Sequence, residues 1–206
     1  ACGNTIIIKP SEKNPSAVIY LARLLHDAGC PNGVVNVVNG NYEAAELLVS
    51  HPIIQAVSCV GSTAVAEQVY QNAIRHGKRA QAFGGAKNHA LVMPDANMKD
   101  VVPALLGAGY GAAGERCMAI SAIIAVTDKV ADQIVSGLTE QIDTLNITNG
   151  TNANVDMGPL ISQEHYQRVT NFIDCGVEEG GKLVVDGRNY NPRPEDTGHF
   201  LGASLF

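Results

Sequence analysis

The sequence has no tryptophan, few aromatic residues and no long apolar run. Aromatic residues make up 5% of the 206 residues and hydrophobic residues 46%, so a core would be built mainly from aliphatic side chains. The longest apolar runs, such as Thr5–Ile8 and Ile120–Val126, are far shorter than the roughly 20 residues that cross a bilayer. We therefore predict no membrane partner.

Clustered positive charge is also lacking. The chain carries 14 Lys and Arg against 20 Asp and Glu, a formal net charge of −6, and its basic residues are scattered. A nucleic-acid surface needs a basic patch, so we predict no nucleic-acid partner. No Pro-rich or Ser-rich stretch indicates disorder.

The cysteines show no metal-binding pattern. There is no Cys-x-x-Cys and no His pair at ligand spacing, so the sequence predicts no metal site. An odd number of thiols favours a reducing compartment. Apart from Cys117, the thiols lie in apolar or helical contexts typical of inert cysteines: Cys2, Cys30, Cys59 and Cys175.

The first part of the chain alternates strand-like and helix-like segments. The periodicity predicts four strands and three helices, in the order Thr5–Lys9, Pro15–Ala28, Val34–Val38, Tyr42–Ser50, Ala56–Val60, Ala64–His76 and Arg79–Phe83. Such alternation predicts a parallel sheet with crossover helices. We therefore expect an α/β fold with a doubly wound nucleotide-binding sheet.

A second α/β unit follows Gly84-Gly85. Its predicted segments are strand Ala90–Met93, helix Lys99–Gly109, strand Ser121–Val126, helices Lys129–Leu145 and Gln163–Gly180, and strand Lys182–Val185, with a surface loop over Asn146–Asn154. Pro103 lacks an amide proton, which predicts that its helix starts late or is kinked. We place the domain boundary near 83–85, giving domains 1–83 and 84–206.

Cys117 ends a segment of glycine and alanine that begins at Gly107. Small residues allow the backbone and a ligand to approach closely. The neighbouring Arg116 favours the thiolate, which is the reactive form. The segment therefore indicates a reactive thiol, and the alternative is a buried structural cysteine.

Polar residues follow two strands of the first domain. Lys9 and Glu12 follow the first strand, and Ser62 follows the third and opens a helix. Ligands of doubly wound sheets bind at the carboxyl ends of strands, and helix amino ends attract phosphate. These residues could bind ribose and pyrophosphate, or could form a solvated turn and a simple helix cap. A Gly-x-Gly-x-x-Gly fingerprint is missing, so a dinucleotide would bind in a variant manner.

Four of these segments carry a family resemblance. Over its whole length the sequence resembles the aldehyde dehydrogenase superfamily through Lys9-Pro-Ser-Glu12, Val60-Gly-Ser-Thr63, Gly84-Gly-Ala-Lys-Asn88 and Gly114-Glu-Arg-Cys117. It is similar to the methylmalonate-semialdehyde dehydrogenase branch through Gly85-Ala-Lys-Asn-His89, Val92-Met-Pro-Asp95, the segment 113–121 and Val155-Asp-Met-Gly-Pro-Leu160. The implied fold is part of the NAD-binding domain followed by part of the catalytic domain.

The resemblance also implies roles for individual residues. Cys117 would attack the aldehyde, and hydride transfer to NAD would leave a thioester on the enzyme. Cofactor contacts would come from Lys9, Glu12 and Lys13 at the adenosine ribose, Ser62 at the pyrophosphate and the backbone of Gly84 at the nicotinamide.

Phe83 departs from the wider superfamily. Hydrolytic members carry at this position a Glu that activates water, and phenylalanine has no proton acceptor. Thiols can still cleave a thioester, so coenzyme A is the expected acyl acceptor. The alternative is that Phe83 only packs at a strand end and that another base supports hydrolysis.

Arg116 precedes the nucleophile, and in this branch that residue is implicated in binding the substrate carboxylate. A planar guanidinium can pair with both carboxylate oxygens. The alternative is a salt bridge, for example to Glu115 or to a residue outside this chain. The resemblance thus implies oxidation of methylmalonate or malonate semialdehyde, with decarboxylation, to propionyl-CoA or acetyl-CoA.

Several parts of the superfamily's site have no counterpart in the sequence. They are the Asn of the oxyanion site, the Glu that holds the nicotinamide ribose and the oligomerisation strands. We therefore expect a central fragment of a homodimeric or homotetrameric enzyme, located in the bacterial cytoplasm or the mitochondrial matrix. A non-catalytic nucleotide-binding fragment is the alternative for the isolated chain.

Overall fold

A computed structural model describes residues 3–206. The chain forms two compact units, Ala1–Gly85 and Ala86–Phe206. The division lies close to the boundary expected near 83–85. Cys2 lies outside the described residues.

The first unit alternates strands and helices in the predicted order. Its elements are β1 (Ile6–Ile8), α1 (Ser16–Asp27), β2 (Val35–Val37), α2 (Tyr42–Ser50), β3 (Ala56–Val60), α3 (Thr63–Arg75) and β4 (Arg79–Phe83). A side-chain cap defines the start of α2, since Asn41 accepts a hydrogen bond from the Glu43 amide at 3.1 Å. Gly77, with a φ of 68°, ends α3 in the left-handed conformation that favours glycine.

The strands of the first unit pair in parallel, as predicted. Ile6 of β1 is aligned with Val35 of β2, and β3 is paired with β4 from Ala56–Arg79 to Val60–Phe83. The expected single sheet is not found among residues 3–206, because these strands form two separate two-stranded sheets. Each strand therefore bonds to only one described neighbour, and its other edge lacks a described partner.

A buried lysine fixes the end of α2. Lys78 is only 6% exposed, and its Nζ donates to the carbonyl of His51, which follows the last residue of α2, at 2.5 Å. Carbonyl groups at the carboxyl end of a helix carry partial negative charge and attract a cation. Burial lowers the pKa of Lys78, so the contact holds a cation in a poorly solvated place.

The second unit is built on a β–α–β arrangement. Its elements are β5 (Asn88–Val92), α4 (Met98–Tyr110), a 3₁₀ turn over Gly111–Gly114, β6 (Ile120–Ala125), α5 (Asp128–Ile142), α6 (Gln163–Glu178) and a 3₁₀ turn over Gly187–Asn189. Strands β5 and β6 are parallel, with an irregularity between Asn88 and His89. No helix in the described part of the chain combines the length and apolarity needed to cross a membrane.

One local prediction for the second unit is wrong, and one alternative of another is not found. The segment 182–185 is not a strand, since Val185 makes only an isolated antiparallel bridge to Leu205. Of the two alternatives for the helix that contains Pro103, the late start is not found, because Asn97 caps α4 by accepting from the Lys99 amide at 3.2 Å. Proline leaves the Lys99 carbonyl without its usual amide donor, and Lys99 is exposed to water.

The core of the second unit lies between its sheet, α4 and α5. Helix α5 contributes four buried residues at helical spacing, which form one apolar stripe: Val130, Ile134, Leu138 and Ile142. Gly137 lets the two helices approach closely, since a Cβ there would lie 2.9 Å from Cγ2 of Val102. Val102 is only 4% exposed, so it has little room to move.

Gly137→Ala is therefore expected to destabilise the protein. Alanine favours a helix over glycine by about 1 kcal/mol, but overpacking a core costs about 1–3 kcal/mol. Urea unfolding of the protein at its full coding length should show a net loss of stability. In the double variant Gly137→Ala/Val102→Ala, the total loss should be smaller than the sum of the single losses. A Gly137→Ala variant as stable as the parent would contradict this packing.

Tyr110, the last residue of α4, gives a second prediction. Its hydroxyl donates to the Ser204 carbonyl at 2.9 Å, and burial raises its pKa from 10.0 to about 12. Below pH 10 the phenol is protonated in both the folded and the unfolded protein, so its hydrogen bond contributes fully to stability. Between pH 10 and about 12 the phenol ionises only in the unfolded protein. The free energy of unfolding should therefore fall with rising pH in this window. Denaturant unfolding of Tyr110→Phe should show a shallower fall there, and equal slopes would contradict the assignment.

Candidate active site

Cys117 lies in the connection between α4 and β6, just before the amino end of β6. Its thiol is free and exposed at the surface of the second unit. Exposure is what a reactive thiol requires and what a buried structural cysteine would not show. The structure therefore favours the first of the two interpretations of this residue.

The backbone that leads to Cys117 is left-handed. Ala112, Ala113 and Gly114 have φ values of 53°, 52° and 74°. The left-handed region costs an L-residue about 1–2 kcal/mol, and only Gly114 is free of that cost. The turn must therefore be held by contacts with its surroundings.

Asn88 supplies one of these contacts. Its side-chain amide donates to the Cys117 carbonyl at 2.8 Å and to the Ala119 carbonyl at 2.9 Å. Asn88 is the first residue of β5, so it joins the nucleophile loop to the amino edge of the sheet. No role for Asn88 follows from the sequence, although it belongs to a motif that carries the family resemblance.

Arg116 is directed back onto α4. Its Nη1 donates to the Gly107 carbonyl at 3.3 Å, in the last turn of the helix. Gly111 leaves the space for this, since a Cβ there would lie 3.0 Å from Nη1. Within residues 3–206, no carboxylate forms an ion pair with Arg116.

Glu115 is not the partner of Arg116, contrary to the alternative offered by the sequence. Its Oε1 lies 3.2 Å from Nε2 of His165 and accepts from the Ile161 amide at 3.4 Å. Both partners are at the beginning of α6, where Ser162 caps the helix. The salt-bridge interpretation of Arg116 with Glu115 is therefore wrong.

The polar residues predicted in the first unit lie at carboxyl ends of its strands. After β1, the ammonium of Lys9 donates to the carbonyls of Pro10 at 2.7 Å and Gly40 at 2.8 Å. It also lies 3.8 Å from Oε2 of Glu12, which is more exposed than Lys9. The backbone amide of Lys13 donates to Oγ of Ser11 at 3.3 Å. The turn after β1 thus holds a cation and an anion side by side.

Ser62 lies at the amino end of α3, and Gly84 passes close to Thr63 there. Ser62 caps the helix by accepting from the Val65 amide at 3.4 Å. A Cβ on Gly84 would lie 3.0 Å from Cα of Thr63, and Oγ1 of Thr63 accepts from the Gly85 amide at 3.1 Å. The segment after β4 therefore crosses close to the start of α3, whereas Lys9 and Glu12 belong to the other strand pair.

The remaining candidates have less reactive surroundings. Burial raises the pKa of the Cys59 thiol, which favours its protonated form. Cys175, by contrast, is exposed on α6, a position that its helical context alone did not predict. His89, the second residue of β5, has Nδ1 2.8 Å from the carbonyl of Lys87, the residue just before this strand. Phe83, at the end of β4, is 51% exposed and so is not a packed core residue of the described chain.

Comparison with known proteins agrees with the resemblance. The sequence profile of the aldehyde dehydrogenase family matches residues 1–206. A malonate-semialdehyde dehydrogenase of Pseudomonas aeruginosa is 52% identical over the whole chain, which covers 41% of that protein. The human mitochondrial methylmalonate-semialdehyde/malonate-semialdehyde dehydrogenase [acylating] is 42% identical over 99% of the chain and 38% of its own length.

Solved structures give the same picture. The NAD complex of a candidate methylmalonate-semialdehyde dehydrogenase from Sinorhizobium meliloti has a TM-score of 0.93 and 49% identity, covering all of this chain and 42% of that one. The predicted α/β, aldehyde dehydrogenase-like fold is thus confirmed, and the chain spans about two fifths of the length of these relatives. The chain belongs to the aldehyde dehydrogenase family.

Proposed function

We propose that the protein is an NAD-dependent, CoA-acylating dehydrogenase of malonate semialdehyde or methylmalonate semialdehyde. The proposal is carried by the exposed thiol of Cys117, which lies on a loop attached to β5 and α6. The chain that contains it is 52% identical over its whole length to a malonate-semialdehyde dehydrogenase. The human relative is named as acylating. Because the chain spans only part of these proteins, the activity is proposed for the protein at its full coding length.

Cys117 is the proposed nucleophile. Its thiolate forms a bond to the aldehyde carbon, and NAD, when bound, supplies the acceptor for the hydride that leaves this carbon. The acyl group is then held on Cys117 as a thioester. The thiolate of coenzyme A attacks the acyl carbon, the bond to Cys117 breaks, and the thiolate of Cys117 is regenerated. The family resemblance adds the loss of the substrate carboxyl group as carbon dioxide.

The proposed nucleotide site uses the carboxyl ends of the strands in the first unit. Exposed Ser62 and the free amides of the first turn of α3 are donors suited to pyrophosphate oxygens. Lys9 and Glu12 supply a donor and an acceptor suited to ribose hydroxyls, with Lys13 beside them. The backbone at Gly84, which passes close to Thr63, is the proposed nicotinamide-facing segment. These groups fit a dinucleotide, and NAD is bound in the Sinorhizobium meliloti relative.

Phe83 supports coenzyme A as the acceptor. Its hydrocarbon ring cannot take a proton from water, so it cannot serve as the general base of thioester hydrolysis. A thiol acceptor is partly ionised at neutral pH and its thiolate is very nucleophilic, so it does not need such a base. A hydrolytic dehydrogenase with a relocated base is the competing function.

The assembly and compartment are proposed from the relatives. They include bacterial enzymes and a human mitochondrial one. We propose a homodimer or homotetramer in the bacterial cytoplasm or the mitochondrial matrix, compartments in which an exposed thiol stays reduced.

The first test is the requirement for coenzyme A. Protein at its full coding length is mixed with malonate or methylmalonate semialdehyde and NAD, with and without coenzyme A. We expect sustained NADH formation only with coenzyme A, acetyl-CoA or propionyl-CoA as product by mass spectrometry, and no turnover by Cys117→Ser. Equal turnover without coenzyme A, with free acid as product, would establish the hydrolytic function instead.

The second test concerns Arg116. A charge-assisted hydrogen bond is worth about 1.5–3 kcal/mol, so Arg116→Met should lower kcat/KM for malonate semialdehyde about 10- to 100-fold. The loss should lie mainly in KM. Propanal, which lacks the carboxylate, is the matched control substrate and should be affected about threefold or less. Equal losses for both substrates would assign Arg116 to the loop conformation and not to carboxylate binding.

A further inference from the structure

The loop that carries Cys117 is attached to the second unit at two places after its left-handed turn. Downstream, Asn88 holds the carbonyls of Cys117 and Ala119. Immediately after the turn, Glu115 is the first side chain long enough to reach another element, because Ala112, Ala113 and Gly114 have short side chains or none. Glu115 reaches α6.

The amino end of α6 is built to receive this carboxylate. The Ile161 amide donates to Oε1 of Glu115 at 3.4 Å, and the positive end of the helix dipole favours an anion there. Nε2 of His165 lies 3.2 Å from the same oxygen. The first turn is itself fixed, since Oγ of Ser162 accepts from the His165 amide at 3.2 Å.

Both side chains are partly shielded from water. Glu115 is 26% exposed and His165 is 35% exposed, so the contact is neither buried in the core nor fully solvated. At 3.2 Å, Nε2 is close enough to the carboxylate oxygen to interact with it when that nitrogen carries a proton. Losing the contact would free the left-handed alanines to return to right-handed conformations.

We propose that Glu115 and His165 are positioning residues that hold the Cys117 loop in its reactive geometry. They act through the backbone of the loop and touch neither the aldehyde nor the cofactor. The catalytic consequence rests on the proposed function of Cys117, whereas the structural consequence does not. Arg116 and Cys117 are consecutive after Glu115, so a shift of its attachment moves both side chains.

The test uses three variants of the protein at its full coding length. His165→Ala removes the donor, and His165→Gln keeps a side-chain N–H of comparable reach. Gln163→Ala is the matched control, since Gln163 is exposed on the same turn of α6. Hydrogen exchange of the peptide covering residues 112–119, alkylation of Cys117 by iodoacetamide with peptide mapping, and kcat and KM are measured for each. Peptide mapping separates Cys117 from the exposed Cys175.

We expect His165→Ala to speed exchange in the 112–119 peptide about fivefold, to change the alkylation rate of Cys117 and to lower kcat about fivefold, with little change in KM. His165→Gln should recover most of each effect, and Gln163→Ala should match the parent. Exchange in peptides of α5 should stay unchanged in all three variants.

Exchange and alkylation decide the proposal even if the protein shows no dehydrogenase activity. Parent-like loop exchange and alkylation in His165→Ala would overturn it. Faster exchange that extends into α5 would also overturn it, because the contact would then support general stability. Failure of His165→Gln to restore the loop would show that the donor to Glu115 is not what holds it. Absent turnover with altered loop exchange would instead count against the proposed function alone.

Discussion

The conformation of the backbone before Cys117 is the constraint on which the site depends. Two alanines and a glycine in succession adopt left-handed angles, and short-range preferences oppose this for the alanines. The geometry exists because more distant parts of the second unit hold it, from β5 through Asn88 and from α6 through His165. The thiol is thus exposed without being on a freely moving loop.

The position of this loop follows from the topology. In a parallel β–α–β unit, the connection from helix to second strand returns to the amino edge of the sheet. Cys117 therefore lies beside Asn88, the first residue of β5. The groups proposed for the nucleotide lie at carboxyl ends, where Ser62 opens α3. The proposed nucleotide site thus lies at carboxyl strand ends in the first unit, whereas the proposed nucleophile lies at the amino strand end in the second. The rule that ligands of open α/β sheets bind at carboxyl strand ends covers only the nucleotide site.

Local pattern predicted the elements that local interactions determine. The bounds of β3, β4 and α2 are those expected from periodicity, because each is bounded by polar, glycine or capping residues. Periodicity could not show that 182–185 makes only one bridge, since strand formation depends on a partner distant in sequence. The prediction of a single sheet for the first unit was wrong for the same reason, because the sequence of one strand does not determine which strand it pairs with.

For the candidate site, the sequence likewise indicated the residue but not its long-range contacts. Cys117 could be selected from five cysteines by its glycine-rich approach and by motif, and its exposure agrees with that choice. The contacts that hold its loop were not predictable. Asn88 lies 29 residues from Cys117, and Ile161 lies 46 from Glu115. For Glu115 the sequence offered an adjacent cation, Arg116, but a carboxylate can instead be stabilised by a helix amino end that only the fold brings near.

Because Glu115 contacts α6 and not Arg116, the guanidinium of Arg116 is left available for the proposed binding of a carboxylate. With Glu115 bound to α6, the guanidinium uses one N–H on the Gly107 carbonyl at the end of α4. A guanidinium has five N–H donors in a fixed plane, so a carboxylate can bind two of them without displacing this contact. The helix end thereby fixes the orientation of the guanidinium that we propose to bind the substrate carboxylate, and the missing side chain at Gly111 makes room for it. The glycine-rich character of this segment thus has two physical causes: access to the thiol, and space for the arginine beside it.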